Sequence, residues 1–485
     1  MRSWTYGELE ARANRAARLF GAAGLAPGDG LAVLVGNRAE VFVLFWAAMR
    51  LGLYFTPVSI HLKAEEVRWI LTASRAKALV VADELADRLP ADGSARGRLD
   101  SWEATHRAGP DFEQACAAHP DRLPESACEG APLLFSSGTT GRPKGVINMR
   151  PGRPLGETSD LARRRMALHG IDADTVYLST APLYHSAPLR YCEMVLRNGG
   201  RAVVMERFDA EQALALIEQE RVTHSQWVPT MFVRLLRLPR DVRERHDLSS
   251  HRVAVHAAAP CPVGVKRQML AWWGPIVHEY YSATEANGQT VIGPEEWLAH
   301  PGSVGRPLMG EVRIRDEQGR DLPAGETGLV YMSGGARFEY LDDPEKTAAA
   351  YAEDGFSTLG DIGHLDADGY LYLTDRRDFT IITGGVNVYP QEVEDVLLEL
   401  PEVVDAAVFG LPDEEFGERV HAAIELVADA TADDATADRL IEHCRARLAH
   451  LKCPRSVEFH DRLPRLPTGK LAKGELRAAS IAAGR

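Results

Sequence analysis

Ten consecutive residues, Ser136–Gly145, read SSGTTGRPKG and set four hydroxyl side chains, three glycines, Arg142 and Lys144 side by side. Glycines let backbone N–H groups approach an oxyanion, hydroxyls donate further hydrogen bonds, and a lysine adds positive charge. That is the chemistry of gripping a phosphate. The string lacks the Gly-Lys-Ser/Thr ending of a P-loop, so it does not read as a P-loop ATPase. Taken alone, a glycine-rich surface turn is its ordinary reading. Four further strings follow in order: YSATE at Tyr281–Glu285, TLGDIG around Gly360–Asp361, DRRDFTIITGG from Asp375 to Gly385, and LPTGK ending at Lys470. Singly these are unremarkable too: a buried aromatic at Tyr281, an acidic turn at Asp361, a salt bridge at Arg376, a solvated tail at Lys470.

The elements that must position these residues alternate. LAVLVGN (31–37), FTPV (55–58) and AKALVVAD (76–83) read as buried strands, with a helix over 39–50. RAVVMERF (201–208) is a further strand, Asp209 with Gln212 caps a helix carrying Leu214, Leu216 and Ile217, and HRVAVHAAAP runs from a strand into a small-residue loop. Such alternation predicts α/β layers with parallel sheet and ligand loops at the carboxyl ends of strands. After Val304 the texture changes to strand–turn–strand, with turns at Asp316–Gly319 and Pro323–Gly325. Beyond Asp378, Pro390 opens a helix with an apolar face of Val393, Val396, Leu397 and Leu400, inside a compact α+β unit. The run ADATADDATADR (428–439) reads as a surface loop within it.

Composition bounds the classes. At 485 residues the chain exceeds one ordinary domain. A net charge of −14 without a basic tract argues against a nucleic-acid surface. The longest apolar run, VFVLFWAAM (41–49), is too short to span a membrane, and MRSWTYGELEARANRAARLF is a polar amphipathic helix with no secretory core. Six scattered cysteines without a CxxC pair predict neither zinc nor disulfides, which makes a reduced, cytoplasmic enzyme the expectation.

With five strings in order, the chain resembles the adenylate-forming superfamily of acyl-CoA synthetases, luciferases and peptide-synthetase adenylation domains over nearly its whole length. The resemblance implies an α/β N-terminal domain (1–377) of layered subdomains with a β-rich distal portion, and a small mobile α+β C-terminal domain (378–485). It implies attack of a carboxylate on the α-phosphorus of MgATP, then transfer of the acyl group to coenzyme A (CoA). Ser136, Ser137, Gly138, Thr139, Thr140, Gly141 and Lys144 would hold the outer phosphates. Lys470, Glu285, Thr284 and His185 would be the catalytic residues, and Glu285 with Thr140 from the loop would hold Mg²⁺ through hard oxygens. Ala258, Ala259, Pro260 and Tyr281 would border adenine, while Asp361 and Arg376 would bind ribose or phosphate. Lys470 would bridge carboxylate and α-phosphate as a flexible point charge. Asp378 falls at the hinge, and Gly384 and Gly385 line a tunnel for the CoA thiol. Tyr184, His185, Trp227, Ala286 and Gly288 shape the acyl pocket.

Three positions depart from the pattern: Leu359 stands where Thr often precedes Gly-Asp, and Ser282 and Ala286 stand where Gly is common. The implied partners are ATP, CoA and a hydrophobic carboxylic acid (fatty, bile-acid-like or polycyclic), with no nucleic acid and no integral membrane, and with a homodimer left open. Two rivals share the fold: an enzyme of one half-reaction or with a carrier-protein acceptor, and a non-catalytic adenylate-binding protein.

Overall fold

The computed structural model describes residues 3–89, 105–108, 110–136, 143–376, 379–383, 386–465 and 471–483. The chain divides into two compact units. One comprises Met1–His256, Ser282–Asn287 and Gly335–Ala349, and the other Ala257–Tyr281, Gly288–Gly334 and Ala350–Arg485. The expected division between residues 377 and 378 lies outside the described residues.

In the first unit a parallel sheet runs in the order Thr105–Ala108, Ala76–Ala82, Gly30–Leu34, Tyr54–Pro57, Ala131–Pro132. Gly30–Leu34 is buried along its whole length, which is why it reads as an unbroken apolar run and not an alternation. On one face Val67 and Ile70 of the helix Ala64–Ala73 pack against Ala32, Leu34, Leu79 and Val81. The N-terminal helix Tyr6–Ala22 starts where Thr5 and Glu8 form a reciprocal capping box. Four more parallel strands lie in the order Arg201–Val204, Val176–Ser179, His224–Trp227, Val253–His256. Asp209 caps Ala210–Gln219 by accepting from the Gln212 N–H at 2.8 Å. A three-stranded antiparallel sheet, Glu339–Tyr340, Lys144–Ile147, Leu134–Ser136, completes the unit.

The second unit is richer in antiparallel structure. Val312–Arg315, Gly328–Met332, Ser357–Leu365 and Leu371–Arg376 form a meander over a core of Val312, Ile314, Val330, Met332 and Leu371. Further on, Val403–Asp413 and Gly417–Leu426 make a long hairpin, extended by the parallel strand Ser456–His460. Its three-residue loop is pinned by Asp413 Oδ1, which accepts from the N–H groups of Glu415 and Phe416, and it closes at Gly417 with φ +80°. Helices Pro390–Leu397 and Asp434–Arg445 contribute to one core of this segment, and Lys473–Ala482 contributes Leu476 to another.

One expectation is corrected here. The run 428–439 is not all surface loop, because its second half opens the helix Asp434–Arg445. Asp433 accepts from the Thr436 N–H at 2.8 Å, so the Asp/Thr composition that suggested a loop supplies the helix cap.

Candidate active site

In the first unit, strand pairing gathers described residues expected to lie near the phosphates. Lys144 opens the strand Lys144–Ile147 opposite Ser136, and on the other edge Tyr340 pairs with Val146. The Trp69 indole N–H donates to the Pro143 carbonyl at 3.0 Å, fixing the chain where it enters that strand. Tyr340 donates its hydroxyl to Glu285 Oε1 at 2.9 Å. Glu285 is 8% exposed, a buried carboxylate with a donor already aimed at it. The Asn148 amide donates to the Thr284 carbonyl at 2.9 Å, tying the Glu285 loop to the end of the same strand.

A cation that sequence reading missed joins this group. Lys346, on the helix Pro344–Ala349, places Nζ 4.6 Å from the centroid of the Tyr340 ring. Burial, and then the neighbouring Lys144 amine, pull its pKa down to about 8, while Asp343 and Glu285 pull the other way. Lys346 and Lys144 are far apart in sequence. Tyr340 and Asn148 were missed for the same reason, since only the pairing of the strands brings them to Glu285.

In the second unit Tyr281 donates its hydroxyl to Asp361 Oδ2. Asp361 lies on Ser357–Leu365 directly opposite Arg376, and it is 8% exposed. Gly360 before it has φ +83°, and its N–H donates to Thr358 Oγ1 at 3.2 Å. A local hydroxyl is therefore present although Leu359 occupies the neighbouring position. The loop of Ala258, Ala259 and Pro260 follows the strand Val253–His256, and Ala258 is held at φ +76°. Next come the helix Val263–Trp273 and the strand Val277–Ser282 that ends at the Tyr281 segment. They are tied by a buried ion pair, Lys266 Nζ to Glu279 Oε2 at 2.6 Å.

Gly288 has no room for a side chain, because a Cβ there would meet the Met332 Cβ at 2.8 Å. Ala286 carries φ +55°, left-handed backbone that glycine adopts without strain and alanine does not. The departure noted in the sequence is thus an alanine in a glycine conformation, one residue after Glu285.

Of the expected acyl-pocket residues, Tyr184 and His185 form an edge-on aromatic pair, with ring centroids 4.4 Å apart, and His185 occupies the position before the helix Ser186–Arg197 without a side-chain capping bond. Trp227 is buried between Phe208 and Phe232, with its N–H on Ser225 Oγ at 2.6 Å. Ser137, Gly138, Thr139, Thr140, Gly141, Asp378, Gly384, Gly385 and Lys470 lie outside the described residues, as do the side chains of Ser136 and Arg376.

A family model described as AMP-binding enzyme matches residues 1–339, and one described as AMP-binding enzyme C-terminal domain matches residues 392–470. The chain belongs to the AMP-binding enzyme family. This AMP-binding enzyme is similar to long-chain-fatty-acid–CoA ligase FadD13 of Mycobacterium tuberculosis, at 34% identity over 486 residues, covering 98% of this chain and 92% of that protein. It is 35% identical over 476 residues to feruloyl-CoA synthase of Amycolatopsis sp, covering 98% and 93% of the two chains. The solved structure of ATP-bound MatB from Rhodopseudomonas palustris superposes with a TM-score of 0.86 at 30% identity, covering 99% and 94%. The AMP-binding enzyme therefore has the α/β fold of a large N-terminal and a small C-terminal domain. Its branch is that of the acyl-CoA ligases, ATP-dependent and AMP-forming. Among the described residues, no helix is long and apolar enough to cross a membrane.

Proposed function

We propose that this AMP-binding enzyme activates a hydrophobic monocarboxylic acid, fatty or aromatic to polycyclic, as its acyl-adenylate and then passes the acyl group to CoA. The observation that carries the activation step is the Lys144–Lys346–Tyr340–Glu285 group, two amines and a buried, hydrogen-bonded carboxylate on one three-stranded sheet, the helix that follows its edge strand and an adjoining loop. Similarity to a long-chain-fatty-acid–CoA ligase and to a feruloyl-CoA synthase supports an apolar acid. The aromatic pair Tyr184–His185 supports it too, as an apolar wall with one polar tip.

In this reading a substrate carboxylate oxygen attacks the α-phosphorus of ATP, the α–β bridging oxygen departs with pyrophosphate, and the acyl-adenylate remains. Lys144 neutralises charge on the outer phosphates, and Lys470 faces the charge that develops at the α-phosphate. Asp361 accepts from the ribose hydroxyls, and Tyr281 borders the base. Ala258, Ala259 and Pro260 leave the base a flat, small-residue neighbour. The thiolate of CoA then attacks the acyl carbonyl carbon and AMP leaves. Gly384 and Gly385 leave room for the pantetheine arm, and Asp378 is the hinge at which the C-terminal domain exchanges poses.

Among the described residues, no cluster of three or more His, Cys, Asp or Glu side chains could hold a metal. The buried Glu285 carboxylate fits Mg²⁺, which binds through one or two carboxylates together with substrate phosphates and water. With Thr140 it would hold the ion, which supplies charge neutralisation to the phosphates when bound.

The test separates the half-reactions. Acid-dependent ATP–pyrophosphate exchange across a panel from acetate to long-chain and polycyclic acids reads adenylation, and preformed acyl-adenylate with CoA reads thioester formation. Exchange and thioester confined to apolar acids are the expected result. Best activity with acetate overturns the substrate assignment, and exchange without a CoA product moves the acceptor to a carrier-protein thiol.

A further inference from the structure

Antiparallel pairing runs the chain after Tyr340 towards Lys144: Tyr340 lies opposite Val146, and the Leu341 N–H donates to the Gly145 carbonyl at 2.9 Å. The helix Pro344–Ala349 follows at once and is locked in place from three directions. Asp343 Oδ1 accepts from the Lys346 N–H at 3.0 Å, and Thr347 Oγ1 donates to the Asp343 carbonyl at 2.8 Å. The Tyr340 N–H donates to Thr347 Oγ1 at 2.9 Å. The Nζ of Lys346 is thereby held 4.6 Å from the centroid of the ring of Tyr340, which lies opposite Val146, and Lys144 shares the face of Val146 two residues earlier on the same strand. The groups acting on this amine are Lys144 from the strand, Tyr340 from its neighbour, Glu285 from its loop and Asp343 from the turn. Glu285 also accepts from the Tyr340 hydroxyl and Asp343 from the Lys346 N–H, and their pull on the amine is smaller than the opposing effect of burial and Lys144. Two neighbouring amines repel unless an anion lies between them. A polyphosphate supplies that anion; a nucleoside monophosphate has no outer phosphates to place there.

We infer that Lys346 is a second polyphosphate-binding cation of this enzyme, clamping the outer phosphates of ATP, and the pyrophosphate that leaves, together with Lys144. The inference rests on the adenylation reading above and adds a residue to it. Lys346 then contributes to holding ATP and to the release rate of pyrophosphate, and contributes nothing to AMP.

Calorimetric titration of the full chain with ATP, inorganic pyrophosphate and AMP, each with Mg²⁺, tests this on wild type, Lys346→Met and Lys346→Arg. Methionine keeps an unbranched apolar chain at this position and removes the charge. Lys346→Met should weaken ATP and pyrophosphate about tenfold or more, the size of one lost charge-assisted contact, and change AMP less than about twofold. Lys346→Arg should restore most of the loss. Equal weakening of all three ligands, with thermal melting lowered, identifies a structural residue and overturns the inference. Unchanged ATP and pyrophosphate affinity overturns it as well. A wild type that binds neither ATP nor AMP sinks the adenylation reading itself, a result distinct from a wild type that binds both and a variant that matches it.

Discussion

Lys266→Met should be among the costliest single changes in the second unit, and its cost should be recoverable. Lys266 is fully buried on Val263–Trp273, and Glu279, 7% exposed, lies two residues before Tyr281. Nζ is 2.6 Å from Oε2 and 4.7 Å from the Trp297 ring centroid. At that separation the gross attraction is on the order of 6 kcal/mol for an effective dielectric of about 20, and desolvation of two ions takes back several kcal/mol. The intact pair therefore nets close to nothing. Removing one charge strands the other, and the expected loss is about 3–5 kcal/mol. Burial already pushes the Glu279 carboxyl upward against the pull of Lys266, and losing the lysine pushes it further the same way. Lys266→Met combined with Glu279→Leu should return to within about 1 kcal/mol of wild type, since neither charge is left stranded. Urea titrations followed by tryptophan fluorescence on wild type, both single variants and the double give the cycle. AMP affinity should fall in Lys266→Met, where the stranded Glu279 carboxyl disturbs the strand that carries Tyr281, and recover in the double, where no charge is stranded. A single variant costing less than about 1 kcal/mol, or a double as unstable as the single, refutes the reasoning.

Three further outcomes are expected. Tyr340→Phe removes the donor to Glu285 and should slow pyrophosphate exchange about tenfold or more, a charge-assisted hydrogen bond of about 1.5–3 kcal/mol, with CoA transfer from preformed adenylate unchanged as the internal control. Ala286→Gly relieves left-handed backbone at φ +55° and should stabilise by up to about 1 kcal/mol by thermal melting, where a destabilised variant would contradict the strain. Glu394 is buried against Lys473, and burial raises its pKa from 4.5 to about 7. Such a group binds more protons folded than unfolded between those values, so the stability it contributes is complete below pH 4.5 and is lost as pH rises through 7. Relative to Glu394→Gln, wild type should weaken as pH rises from about 5 to about 8 in urea titrations, and the opposite slope rejects the assignment.

Most of the fold was legible because its signals are local. A strand buried on both faces, such as Gly30–Leu34, declares itself by five apolar or small residues in a row, and Asp209 with Gln212 declares a helix start within four residues. The run 428–439 misled for an instructive reason. Asp and Thr favour loops because their side chains satisfy backbone N–H groups, and a helix start presents the same unsatisfied groups. Composition cannot separate the two uses; Asp433 accepting from Thr436 can.

The site divides along the same line. Glu285, Asp361 and Lys144 stand inside the ordered strings that carry the family resemblance, so they could be named as candidates from sequence. Lys346, Tyr340 and Asn148 stand in no such string, and their part depends on an antiparallel register that joins residue 340 to residue 146. The same limit explains Ala286. In sequence it is a substitution that enlarges a side chain beside the acyl pocket. In the structure its backbone is left-handed, and the cost lies in φ. An alanine held there keeps the loop after Glu285 less free than a glycine would, since the unfolded chain loses fewer states on adopting it. Ala286→Gly therefore tests two things at once. A gain in stability measures the strain, and a slower exchange rate in that more stable variant would show that the strained residue holds the Glu285 carboxylate in place.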